Sequence, residues 1–209
     1  MGKLRPPASG AAGRAPGKLA SPSEPEGEPW EVVASEPLQD CRVFEVSRTH
    51  SRSPRTGEAH PFYRIDCSDW VNIVPLTDAG EVVMVRQYRH GSREFTLEIP
   101  GGMVDPGEAP QRAAARELRE ETGFEAARVR PIGSLNPNPA LFGNRLHTFL
   151  GESTAKVGEI QNSGREHTVV ELVPAVEIPE RVRAGEIDHA LVVAALHWWE
   201  LDRVRSQGG

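Results

Sequence analysis

Cysteine, positive charge and long apolar runs are all in short supply in this chain. Its 209 residues include only two cysteines, Cys41 and Cys67. Two are too few for a disulfide framework and have no metal-ligand spacing, so they read as reduced thiols of a cytoplasmic protein. No apolar stretch approaches the ~20 residues of a membrane-crossing helix, so no membrane partner is expected. Lysine and arginine total 24 against 30 aspartates and glutamates, a net charge of −6. Without clustered positive charge a broad nucleic-acid-binding face is excluded, although a small phosphate pocket is not. The seven histidines are scattered along the chain, which argues against a histidine metal site.

What remains is ordinary for a globular protein: 38% apolar and 26% charged residues exclude fibrous and collagen-like classes. The length suits one sizeable domain with something left over. Residues 1–29 hold six prolines and five glycines and almost no large apolar side chain, so they cannot offset their ordering entropy and read as a disordered tail. An acid-free start with Lys3, Arg5, Arg14 and Lys18 is shared with transit peptides. The scattered Pro and Gly, however, oppose the amphipathic helix such a peptide needs, and a secretory signal's apolar centre is missing.

From Trp30 to about residue 205 the texture is that of a single α/β domain. Strands are expected at Trp30–Val33, Cys41–Ser47, Phe62–Cys67, Val71–Pro75, Glu81–Tyr88 and Phe95–Ile99, with a hairpin turn at Asp78–Gly80. Pro100-Gly101-Gly102 reads as a sharp break that brings backbone close to a ligand. One long helix is expected over Ala109–Thr122, with Pro110 in its first turn and Gly123 at its stop. Strands resume at Ala127–Ser134, His147–Leu150 and Val169–Val173, and a helix over His189–Val204 closes the domain.

The chemistry concentrates in Gly102–Phe124. Glu117, Glu120 and Glu121 stand at i, i+3 and i+4, so a helix gathers their carboxylates on one side. Arg116 offsets part of the repulsion, and a hard divalent cation with a preference for oxygen ligands would remove the rest. The bland reading is an acidic, solvated helix face. It must also account for Gly102, Glu108, Arg116, Glu117, Leu118, Glu120, Glu121, Gly123 and Phe124, which fit the pattern Gx5Ex7REUxEExGU (U apolar) position for position. Seven fixed residues at roughly 7% usage each make a chance match on the order of 10⁻⁸ per window.

The sequence therefore resembles the Nudix hydrolases. The resemblance implies an α/β/α sandwich with a mixed β-sheet and a loop-helix-loop catalytic unit. It also implies hydrolysis of a nucleoside diphosphate linked to another group, and a requirement for Mg²⁺ or Mn²⁺. Carried over by position, Glu117, Glu120, Glu121 and the Gly101 carbonyl are metal ligands, with Glu120 also in the catalytic set. Glu108 and Arg116 are a structural pair fixing loop to helix, with Gly102 and Gly123 structural as well. The order VRQYRHG then LEIPGGMVDPGE, Pro139 fifteen residues beyond Phe124, and the ending GEIDHALVVAALHWWE are similar to the ADP-ribose and nucleoside diphosphate sugar branch. The segment Asn136–Gly151 departs from many ADP-ribose enzymes and keeps the sugar open. By resemblance the catalytic base is a glutamate in a loop after the box, for which Glu166 is the choice and Glu159 the reserve.

Phosphate binding needs forked donors, and Arg86 and Arg89 flank Tyr88 at a strand end. Alternation sends them to opposite faces, so both serve only if the strand ends between them or a second subunit supplies one; ordinary surface roles are the competing reading. A homodimer is expected, and Trp30 would stack on a base if the first strand is exchanged between subunits, with core or interface packing as the alternative. A nucleoside triphosphate housecleaning enzyme and a non-catalytic ADP-ribose-binding regulator are the other functional readings. The complete box and the absence of a basic helix-turn-helix disfavour the regulator.

Overall fold

Strands apolar on both faces need cover on two sides, and the runs at Trp70–Pro75 and Glu81–Tyr88 are of that kind. The structure, a computed structural model, describes residues 27–162 and 167–207. Most of the expected tail and the Glu166 position lie outside the described residues. In chain order the elements are β1 (Glu31–Asp40), β2 (Glu45–Arg52), β3 (Ala59–Asp66), β4 (Trp70–Pro75), β5 (Glu81–Arg89), β6 (Glu94–Glu98), β7 (Gly101–Met103), α1 (Pro110–Thr122), β8 (Phe124–Leu135), β9 (Leu146–Lys156), β10 (Thr168–Pro174), α2 (Ile178–Arg183) and α3 (Ala190–Gln207).

The described residues form three sheets, ordered β1-β2-β3, β10-β5-β6 and β7-β4-β9-β8. The last is mixed, because β4 runs parallel to β9 and antiparallel to β7. Side chains of β4 and β5 alternate between two cores. On one side Val74, Val82, Met84, Leu97 and Leu150 meet Ile178 of α2 and Val192, Ala195, Leu196 and Trp199 of α3. On the other, Val71, Ile73, Val83 and Phe149 meet Ala113, Ala114 and Leu118 of α1. The result is an α/β/α sandwich.

The expected turn between β4 and β5 is present, but the two strands do not go on to pair as a hairpin. The turn forms, with Gly80 at φ +79°, but ladder pairing stops at an isolated bridge between Leu76, just beyond β4, and Val82 of β5. Each already has both edges occupied, β4 by β7 and β9 and β5 by β10 and β6, so neither has an edge left to offer the other.

Other differences have similar local causes. β1 continues to Asp40 in spite of Pro37 because it is an edge strand, and two register shifts absorb the irregularity. The break at Gly101 also pairs, Gly101 with Asn72 and Gly102 with Val71, and so becomes β7. Helix α2, with Pro179 in its first turn, was not anticipated from the sequence. Helix α1 ends where expected: Gly123 takes a left-handed conformation and its N–H donates to the Arg119 carbonyl.

Candidate active site

Two adjacent glycines face opposite ways across β7. A methyl group on Gly101 would lie 2.4 Å from the Val71 carbonyl oxygen, whereas one on Gly102 would lie 2.3 Å from a Glu117 carboxylate oxygen. Strand β7 is thus pressed against β4 on one side and leaves a cradle for the Glu117 head group on the other. The Gly101 N–H donates to Glu121 Oε2 at 3.1 Å, tying the buried end of α1 to the same strand.

Arg116 organises the rest of the acidic face. Its Nε and Nη2 donate to the two oxygens of Glu108 at 3.2 and 3.1 Å, and Nη2 also reaches the Met103 carbonyl at 3.1 Å. Its Nη1 is shared between Glu117 Oε1 at 2.9 Å and Glu120 Oε2 at 3.1 Å. One guanidinium therefore joins the loop before α1, the β7 strand and two of the three helix carboxylates. The hydrogen bond from Arg116 holds the Glu108 carboxyl below the usual carboxylate range.

The donor set suits a hard divalent cation. Three carboxylates and a nearby backbone carbonyl offer only oxygen donors, and Gly102 leaves room for the Glu117 carboxylate that β7 would otherwise crowd. As placed they are not a closed cage: among the described residues no three acidic, histidine or cysteine side chains are grouped closely enough to hold an ion. Arg116 accordingly supplies, from within the chain, part of the positive charge that these carboxylates require.

Beside β7 opens a cleft of ≈ 970 Å³, within the range of ligand pockets. Its lining runs from Val43 and Phe44 through Tyr88–Ser92 to Gly101–Met103 and on to Asp188–Val192 at the start of α3. Arg89 is the one lysine or arginine among the lining residues. Its Nε and Nη2 both bond Glu98, at 2.7 Å each, and Glu98 also takes bonds from Thr96 at 2.6 Å and from His189 Nδ1 at 2.8 Å. Glu98 is only 2% exposed. Burial opposes its ionisation, but the bonds from Arg89 and His189 outweigh burial and hold the carboxyl well below its usual range. A buried, ionised glutamate thus fixes Arg89 at the cleft wall. Neither Glu98 nor His189 stands out as a site residue in the sequence. The available signal was an acid between Leu97 and Ile99, inside a strand whose neighbours are core residues.

The other expected site residues are dispersed. Strand β5 continues through Arg89, which pairs with Glu94, so it does not end between the two arginines and they point to opposite faces. Arg86 bonds Glu171 and Glu186, at 2.8 and 2.5 Å, in a network shared with Arg181. Trp30 packs edge-on against His60 and Phe62, apart from the cleft lining. Glu159 is highly exposed and lies 3.8 Å from Lys156. Glu166 is outside the described residues, but those flanking it are fastened to the end of α1. The Gln161 N–H donates to the Glu120 carbonyl at 2.7 Å, and the Thr168 hydroxyl to the Glu121 carbonyl at 2.8 Å.

Comparison with known proteins agrees with this geometry. A Nudix domain matches residues 69–196. An ADP-ribose pyrophosphatase of Mycobacterium tuberculosis is 30% identical over 169 residues, spanning 80% of this chain and 81% of that protein. An ADP-ribose pyrophosphatase of Bacillus subtilis is 30% identical over 136 residues, 63% of this chain and 71% of that protein. The fold matches a crystal structure of an ADP compounds hydrolase with TM-score 0.76 at 22% identity, covering 88% of this chain and 99% of the other. Divalent-metal use is general among such proteins, and the oxygen donors gathered around β7 fit that habit. With the motif on α1, the sandwich around it and these relatives in agreement, the chain belongs to the Nudix hydrolase family.

Proposed function

We propose that the protein hydrolyses ADP-ribose or a related nucleoside diphosphate sugar to a nucleoside monophosphate and a sugar phosphate. The observation that carries this reading is the three-carboxylate face of α1 set against the glycine edge of β7, with a nucleotide-sized cleft and a fixed arginine alongside. The relatives' names point to the same substrates.

In this reading Glu117, Glu120, Glu121 and the Gly101 carbonyl hold Mg²⁺, or Mn²⁺ in its place. A divalent cation held there would supply positive charge against the pyrophosphate and would lower the pKa of a water bound to it. Arg89, fixed by Glu98, presents its guanidinium to a phosphate. Arg116 keeps Glu117 and Glu120 oriented, and the absence of side chains at Gly101 and Gly102 would let the diphosphate lie close to the carboxylates. Glu166 accepts the proton from water. The fastening of Gln161 and Thr168 to the last turn of α1 supports that assignment, because it anchors the chain on both sides of Glu166 beside Glu120 and Glu121.

The free cysteines, Cys41 and Cys67, fit a reducing cytoplasm. No described helix is long and apolar enough to cross a membrane. The exposed, apolar-studded β1 supports a homodimer, in which a second subunit would bring Trp30 to a nucleobase. Residues 30–205 form the catalytic domain in this reading, and residues 1–29 a tail.

The test is incubation with Mg²⁺ and a panel of ADP-ribose, ADP- and GDP-sugars and nucleoside triphosphates, with products identified by mass. Sugar phosphate plus nucleoside monophosphate is expected. Pyrophosphate released from triphosphates alone would reassign the enzyme to nucleotide housecleaning, and binding without turnover would make it a regulator. Glu166→Gln should lower kcat with little change in metal affinity; an unaltered rate moves the base to Glu159 or another acid.

A further inference from the structure

A carboxylate has room for about four hydrogen bonds, and the buried Glu98 uses that capacity in full. Its Oε1 takes Arg89 Nε and the Thr96 hydroxyl, and its Oε2 takes Arg89 Nη2 and His189 Nδ1. Arg89 and His189 thus stand side by side on one oxygen, at 2.7 and 2.8 Å. The backbone of His189 is fixed as well, because its carbonyl accepts the Val192 and Val193 N–H groups that begin α3. An ionised carboxylate only accepts, so Nδ1 carries the proton that joins His189 to Glu98, and the ring can gain or lose charge only at Nε2. That nitrogen makes no hydrogen bond among the described residues. The His189 side chain is 35% exposed and that of Glu98 only 2%. The exposed edge of the ring is therefore the one turned away from Glu98, which bears Nε2, and His189 lines the cleft. The other charged or titratable residues of the lining are Tyr88, Arg89, His90, Glu94, Glu98 and Asp188. Charge decides what the exposed edge suits. Arg89 and Glu98 cancel, so a phosphate arriving at the guanidinium finds no net positive charge in the pair. A proton on Nε2 supplies that charge, together with a charge-assisted donor beside the guanidinium.

We propose that His189 is a second phosphate-binding residue: as the substrate's diphosphate reaches Arg89, Nε2 takes up a proton from solvent and donates a hydrogen bond to the same phosphate. This rests on the nucleoside diphosphate sugar reading above and adds a residue to it. It also gives a reason for burying an acid at the cleft wall, since Glu98 orients both donors at once. Binding is then linked to proton uptake, and affinity weakens as pH rises through the range in which histidine loses its charge.

The experiment is calorimetry in EDTA with ADP-ribose, whose two phosphates have no proton that titrates near neutrality, in buffers of different ionisation enthalpy. Wild type is compared with His189→Asn, which sets an amide N–H where Nδ1 stood and leaves nothing at Nε2, and with His90→Asn. Near neutral pH the wild type should take up roughly half a proton or more per molecule bound, and its affinity should fall roughly 10-fold between about pH 6.5 and 8.5. His189→Asn should take up none and bind equally at both pH values, near the wild-type affinity at the higher one. His90→Asn should behave as the wild type. A wild-type heat independent of buffer, or no wild-type binding, would overturn the proposal whether or not a variant folds. So would proton uptake that survives in His189→Asn or disappears in His90→Asn, and so would an affinity loss in His189→Asn of equal size at both pH values, the mark of a purely structural role. Turnover in Mg²⁺ is read separately. Proton-linked binding through His189 without hydrolysis would uphold this inference and sink the enzymatic reading, whereas release of sugar phosphate by an enzyme whose binding takes up no proton would do the reverse.

Discussion

Strands β1–β3 and the sandwich built from residue 70 onward differ in what they bury. Every residue of the two apolar clusters comes from the sandwich, starting at Val71. In the N-terminal sheet the buried side chains are hydroxyls, Ser47, Thr49 and Ser51, while Val32, Val33, Leu38, Phe62 and Tyr63 lie exposed. That sheet is held by its backbone ladders and by polar links such as Arg48 to Glu36 and Ser47 to Asp66. It is joined to the sandwich by the Ile65 N–H bonding the Leu141 carbonyl at 2.8 Å. The sandwich encloses its own apolar core, whereas the sheet offers apolar side chains outward, as a surface prepared for another chain does. The carboxylates proposed for catalysis, on α1, lie against the second of these apolar clusters.

The largest contrast between the two regions is expected at the carboxylates of α1. Glu117→Gln or Glu121→Gln should lower kcat by several orders of magnitude while circular dichroism and the unfolding midpoint stay near wild type; near-normal turnover in either would remove the metal-site assignment. Next in size, Leu118→Ala deletes a fully buried side chain beneath those carboxylates and should cost about 2–5 kcal/mol in denaturant unfolding. A cost near zero would show that this core is less tightly closed than described.

The Glu98 cluster makes a smaller, pH-dependent prediction. Because the folded-state pKa of Glu98 is depressed, its contribution is fully present above the unfolded carboxylate value of about 4.3 and is lost as pH falls below it. Glu98→Gln should therefore flatten the acid limb of the stability profile, and should weaken substrate binding by loosening Arg89. An unchanged acid limb would mean that the ion pair contributes nothing to stability. Smallest of all, Val33→Ser on β1 should change the stability of the dilute monomer by less than ~0.5 kcal/mol while shifting the monomer–dimer balance seen by sedimentation. A loss as large as that of Leu118→Ala would erase the contrast between the two regions.

How much of this was legible in the sequence followed the range of the interactions involved. The start, stop and acidic face of α1 depend on neighbours within a few residues, so Pro110, Gly123 and the glutamate spacing could be read directly. Alternation likewise separated Arg86 from Arg89. Which of the two meets the cleft depends on α3 and β6 packing beside β5, and no local pattern carries that. The Glu98–His189 bond spans 91 residues and was invisible for the same reason. The divergence of β4 from β5 follows from competition among four other strands for their edges, a property of the assembled sheets. The exposure of β1 was hidden because its Val-Val start resembles a half-buried strand.

The two glycines of β7 stand between the cleft and α1, and their missing methyl groups are not interchangeable. At Gly101 the obstacle is the rigid Val71 carbonyl, so an added methyl group would force the strand pairing apart. At Gly102 the obstacle is the tip of a movable carboxylate, which can yield while the strand stays in place. Replacing only Gly102 by alanine should thus give a folded protein that retains the cleft and has a displaced Glu117: an inert receptor in which the uncleaved compound can be trapped and identified.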